Sequence, residues 1–114
     1  MGLIERILGI SKTKKPGDEK CWTHSNGKIE VDWARVPELQ KPSGAIRLEG
    51  RGLPEKILLI YGIDGQFHAF KNKCTDMNRR LDPVPGKAAL RCRCFSISTF
   101  DYFGNVMSGP ARTL

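Results

Sequence analysis

The sequence has no long apolar run. None approaches the ~20 residues that a bilayer-spanning helix needs, which excludes an integral helical membrane protein. Met1 to Ile10 carries Glu5 and Arg6 inside its apolar stretch and ends without a small-residue cleavage site, so it does not read as a secretory signal. Gly2 follows Met1, but Arg6 stands where a myristoylation signal requires Ser or Thr. Histidine is scarce, at two residues, and cysteine is limited to Cys21, Cys74, Cys92 and Cys94. Without a secretory signal, four cysteines do not imply a disulfide framework, and metal binding, redox chemistry and plain burial stay open. No internal repeat, low-complexity tract, phosphate loop, Ser-His-acid set or paired-carboxylate motif is present, so the sequence carries no enzyme signature. The expected location is the cytoplasm.

What is there fits one domain. The chain has 114 residues, of which 39% are hydrophobic and 27% charged, a balance that supports a folded core rather than a disordered tail. The net charge is +7, and the 71–93 segment contributes +5 of it. Its cations are Lys71, Lys73, Arg79, Arg80, Lys87, Arg91 and Arg93, against Asp76 and Asp82. This segment is either a solubilising surface or a docking face for an acidic protein partner. Nucleic acid is the weaker option, because no helical or zinc-finger signature accompanies the charge.

Three parts follow along the chain. Residues 1–10 place Leu3, Ile4, Ile7 and Leu8 on one face of a short amphipathic helix, which needs a surface to lie on. Its neutral charge argues against an anionic-lipid anchor and favours self-packing or docking to a partner, self-association included. Residues 11–20 are polar, contain Pro16-Gly17 and read as a linker. From residue 21 to 114 the pattern is one of short strands. Strands are expected at 28–33, 45–48, 56–61, 66–70, 88–91, 98–102 and 106–107, with 71–87 irregular. Asp64-Gly65 and Gly104-Asn105 mark hairpins. The aromatics Trp22, Trp33, Phe67, Phe70, Phe100, Tyr102 and Phe103 fall at strand positions and are expected in the core. The expected fold is all-β and antiparallel.

The second half of the chain has a recognisable order. A hairpin leads through Phe67-His68-Ala69-Phe70-Lys71-Asn72-Lys73 to Cys74 on a loop. A Pro/Gly-rich stretch leads to Cys92 on a second loop. Ser98-Thr99-Phe100-Asp101, Gly104-Asn105 and Ser108-Gly109-Pro110 follow. Over residues 27–112 this resembles the Rieske iron–sulfur domain family, in particular its small ferredoxins. The resemblance implies an antiparallel β-sheet sandwich with two ligand-type loops, and it implies that the chain stops short of the family's usual last strand. Family loops read C-x-H-x-G and C-x-x-H-G, with two cysteines and two histidines holding a two-iron two-sulfur cluster.

Cys74 and Cys92 match the cysteine positions. Asp76 and Phe95 stand at the two histidine positions, and Asn78 stands at a glycine position. Phenylalanine cannot ligate iron. Asparagine can adopt the left-handed conformation that the glycine supplies. The resemblance therefore implies one of two functions. The first is a non-enzymatic protein-interaction module that keeps the scaffold without the cluster. The alternative is an electron-transfer protein with a cluster on Cys74 and Cys92, completed by Asp76, Cys94 or another non-histidine group. A zinc site that uses the cysteines is a more distant option. Cys21-Trp22-Thr23-His24 has C-x-x-H spacing compatible with metal, whereas His68 lies on a strand as a core or surface residue. An unpaired sheet edge would leave a route to self-association.

Overall fold

A computed structural model describes residues 12–76, 78–92 and 98–114. The expected helix at 1–10, Cys94 and Phe95 lie outside the described residues. Nine strands form among the described residues, in three antiparallel sheets. The all-β expectation holds.

The first sheet pairs β1 (Trp22–Ser25) with β2 (Lys28–Val31) around Asn26-Gly27. Both turn residues have positive φ, 50° and 72°, the geometry that an Asn-Gly hairpin provides. The second sheet has the order β3 (Gly44–Leu48), β4 (Ile57–Tyr61), β5 (Phe67–Lys71). The third runs β6 (Leu81–Pro83), β7 (Ala89–Cys92), β8 (Thr99–Asp101), β9 (Val106–Ser108). The Asp64-Gly65 and Gly104-Asn105 hairpins form as the sequence predicts.

β4 explains the layering. Ile57-Leu58-Leu59-Ile60-Tyr61 is apolar at every position, so both of its faces need cover. Leu58 and Ile60 point into a cluster with Leu81, Leu90, Phe100 and Tyr102 of the third sheet and its β8–β9 turn. Ile57, Leu59 and Tyr61 pack from the other face onto a second cluster of Cys21, Trp22, Val36, Leu39, Ile46 and Leu48. The middle sheet is thus shared by two cores. A short strap crosses from the N-terminal side: the Lys12 and Thr13 N–H groups donate to the buried Asp82 carboxylate, at 2.8 and 2.9 Å.

Three expectations change. The alternation of 28–33 stops at Val31, because Asp32 accepts from the Ala34 N–H and starts a 3-10 turn over Trp33–Arg35. The stretch 71–87 is not wholly irregular, since Leu81–Pro83 pairs with Leu90–Cys92 as β6. Not every aromatic enters the core either. Trp22, Phe100 and Tyr102 are buried, whereas Trp33, Phe67 and Phe103 are exposed, Phe103 at 84%. Phe103 sits in the β8–β9 turn. Trp33 and Phe67 lie edge-on to each other, centroids 4.9 Å apart, beside Tyr61 on the rim of the second core.

Truncating the shared strand should weaken the whole domain. Ile60→Ala removes a fully buried side chain from β4. It should lower unfolding stability by about 2–5 kcal/mol. Urea denaturation followed by tryptophan fluorescence and far-UV circular dichroism should show one transition at a lower midpoint. An unchanged midpoint would contradict this packing.

Candidate functional site around the Cys74 loop

The loop between β5 and β6 is closed by its own backbone. The Cys74 N–H donates to the Arg79 carbonyl at 2.7 Å, and the Asn78 N–H donates to the Cys74 carbonyl at 2.9 Å. Asn78 has φ +57°, the left-handed conformation expected of it. Just before the loop, Asn72 is buried and its Oδ1 accepts from the Leu81 N–H at 2.7 Å, which joins the start of the loop to β6.

Cys74 points inward. It is 0% exposed and packs in the apolar cluster with Leu58, Leu81, Leu90 and Phe100. Cys92 is also fully buried and belongs to the same cluster, so the structure brings these two candidate residues into one neighbourhood. Cys92 is disulfide-bonded and Cys74 is a free thiol, so no disulfide joins the two loops. A thiolate ligand at position 92 would require the reduced form. Asp76 is exposed on the turn. Among the described residues no group of three or more His, Cys, Asp or Glu side chains is arranged to hold a metal ion.

The two end residues of the C-x-x-H spacing make different contacts. Cys21 is a free, buried thiol in the second core, and burial together with Asp18 and Glu38 pushes its pKa up. His24 Nδ1 faces the Arg51 carbonyl at 3.0 Å. His68 Nε2 lies 2.8 Å from Asp64, and its ring stacks on Tyr102 with centroids 4.4 Å apart.

The charge lies outside the loop. A cleft of about 560 Å³ runs between the β3–β4 connection and the Cys74 loop. Lys73, Arg79 and Arg80 line it on the loop side, and Glu49, Glu55 and Lys56 on the side of the connection. Glu49 is the fixed point of this wall. Its side chain is only 12% exposed and meets Arg80 Nε at 2.8 Å, Arg80 Nη2 at 3.2 Å and Arg47 Nη1 at 3.5 Å. Burial pushes the Glu49 carboxyl up, but the Arg80 hydrogen bonds and the charges of Arg80, Arg47 and Lys56 outweigh it and hold it below its ordinary value of 4.5. A second recess of about 390 Å³ shares Glu55, Lys73 and Asn78 with the first and adds Lys71 and Arg112. The Arg112 N–H donates to Thr75 Oγ1 at 2.7 Å, which ties the C-terminal segment to the loop. Gly109 lets that segment pass close to the second loop, since a Cβ there would lie 2.6 Å from Ser98 Cα.

The basic run of the sequence is therefore divided. Lys73, Arg79 and Arg80 face the cleft, Lys87 lies in the β6–β7 turn, and Arg91 lines a different recess beside Lys12 and Asp82. Sequence reading alone misses Glu49, Lys56 and Arg112, because strand pairing and the returning tail bring them to the loop from distant positions. Comparison with protein-family models, curated proteins and solved structures gives no match.

The Glu49 wall makes a signed prediction. Because its folded pKa lies below the unfolded value, its contribution is complete above that unfolded value and is lost as pH falls through the lowered one. Glu49→Gln should cost about 1.5–3 kcal/mol near neutral pH, the scale of a hydrogen bond to a charged group. The variant should also lose less stability than the parent when unfolding is compared between neutral pH and the acid range. Parallel pH profiles would remove Glu49 as the organising group.

Proposed function

We propose that this chain is a non-enzymatic protein-interaction module on a Rieske-like β-sandwich scaffold, working without a cluster and docking an acidic partner through the basic rim of the Cys74 loop. The observation that carries this reading is the division of roles at the loop. Cys74 packs in the core with 0% exposure, while the cations stand outside it on the cleft. The replacement of both histidine positions, by Asp76 and Phe95, supports the same reading, because phenylalanine offers iron no donor. A cytoplasmic setting belongs to the proposal, and in that reducing environment Cys92 would be a thiol. Among the described residues no helix is long and apolar enough to cross a membrane. Self-association through the 1–10 segment or an open sheet edge remains part of the proposal.

One observation favours a second reading, that of an electron carrier with a two-iron two-sulfur cluster. Cys74 and Cys92 share one apolar cluster, and half of a cluster site needs two cysteines close together. Asp76 or Cys94 would then complete it. A cluster with added thiolate or carboxylate ligands should have a lower potential than a histidine-ligated one.

The two readings separate on anaerobically purified protein. A colourless protein with neither iron nor acid-labile sulfide is expected. Visible absorption between about 400 and 600 nm with stoichiometric iron and sulfide would overturn the first reading and establish the second. Zinc in a colourless protein would point to the distant metal-site option instead.

A further inference from the structure

The cleft beside the Cys74 loop has a composition that selects among anionic partners. Its cations are spread along two facing walls: Lys56 on one, next to the exposed Glu55, and Lys73, Arg79 and Arg80 on the other, so that with Arg80 and Glu49 paired the cations outnumber the carboxylates. Arg80 is already held by Glu49 through two hydrogen bonds, so it shapes the wall and neutralises the most buried carboxylate there. Lys56 and Lys73 carry exposed charge on either side of the opening. Between them Leu53 and Pro54 supply apolar surface.

Three features decide the chemistry. Among the described residues that line the cleft none is aromatic, so they offer no stacking platform of the kind that single-stranded nucleic acid uses. The cations are distributed along an open cleft of about 560 Å³, which suits several separated carboxylates better than one small oxyanion. Asn72 also lines the cleft. Its Oδ1 is committed to the Leu81 N–H, and the amide end left over, Nδ2, is a buried donor with no partner among the described residues.

We infer that this cleft receives an acidic peptide segment of a partner protein, with carboxylates against Lys56, Lys73 and Arg79 and an aliphatic side chain against Leu53 and Pro54. The inference rests on the docking reading above and narrows it to one place. Lys87 and Arg91, although part of the same basic run, lie outside this cleft and do not take part.

The test is a titration of the full-length, ¹⁵N-labelled chain with an acetylated peptide of glutamates around a central leucine. Inorganic phosphate and a short oligothymidylate serve as competing probes. Amide shifts should cluster in 49–56 and 72–80. Lys73→Glu with Arg79→Glu should weaken binding by at least about tenfold, as expected when steering charges are reversed. Arg35→Glu, at a half-exposed cation distant in sequence, should leave binding unchanged. Lys56→Glu, at an exposed side chain on the opposite wall, gives the same readout if the double variant loses its amide dispersion. Absent binding, shifts centred on Lys87 and Arg91, or tighter binding of phosphate or oligothymidylate would each overturn the inference. Binding centred on Lys87 and Arg91 would leave the broader docking reading standing. A bound cluster would remove the cluster-free reading without moving this result.

Discussion

The fold depends on a strand that is apolar on both faces. β4 is apolar from Ile57 to Tyr61, and its alternate side chains enter two different cores. Burying both faces requires one layer on each side, and the chain supplies the third sheet on one and the β1–β2 hairpin with its 3-10 turns on the other. Removing either layer would expose half of β4 to water, with a cost proportional to the apolar area uncovered. The sheet that contains β4 also fixes the two ends of the cleft. β4 begins at Ile57, one residue after Lys56, and β5 ends at Lys71, just before Asn72. The Asn72 N–H donates to the Lys56 carbonyl at 2.8 Å, so the two cleft walls are linked through the same hydrogen-bonded ladder.

The Cys74 loop inherits its shape from that ladder. Two backbone hydrogen bonds close it, the left-handed Asn78 turns it, and Asn72 attaches it to β6. Its sulfur faces the core and its cations face outward. The proposed function follows from this polarity: the inner surface packs, and the outer surface presents charge to a partner. Glu49 organises that outer surface by holding Arg80 in place and cancelling part of the positive charge.

Much of the fold was legible in local pattern. The unbroken apolar run of 57–61, the Asp64-Gly65 and Gly104-Asn105 turns, and the alternation of 28–31 are short-range signals, and each has a counterpart in the structure. The readable conformation of Asn78 has the same origin, a residue type suited to positive φ. What escaped depends on tertiary context. β6 contains Pro83 and only three residues, too few for a periodicity to show, and it forms because Leu81 is drawn into the core opposite Cys92. Trp33 follows Val31 at strand spacing, but the Asp32 cap ends the strand and leaves the ring half exposed. The acidic half of the cleft was invisible for the same reason, because Glu49 reaches Arg80 across 31 residues of sequence.

The central claim is that Cys74 is a packing residue of a closed loop whose function lies on its outer rim. Native-state thiol labelling in the presence of a chelator, mapped by mass spectrometry, tests it most directly. Cys74 and Cys21, at 0% and 1% exposure, should both resist modification until denaturant unfolds the chain. Rapid labelling of Cys74 in the native protein, with Cys21 still protected, would contradict the account and show an open loop whose thiol is available for chemistry.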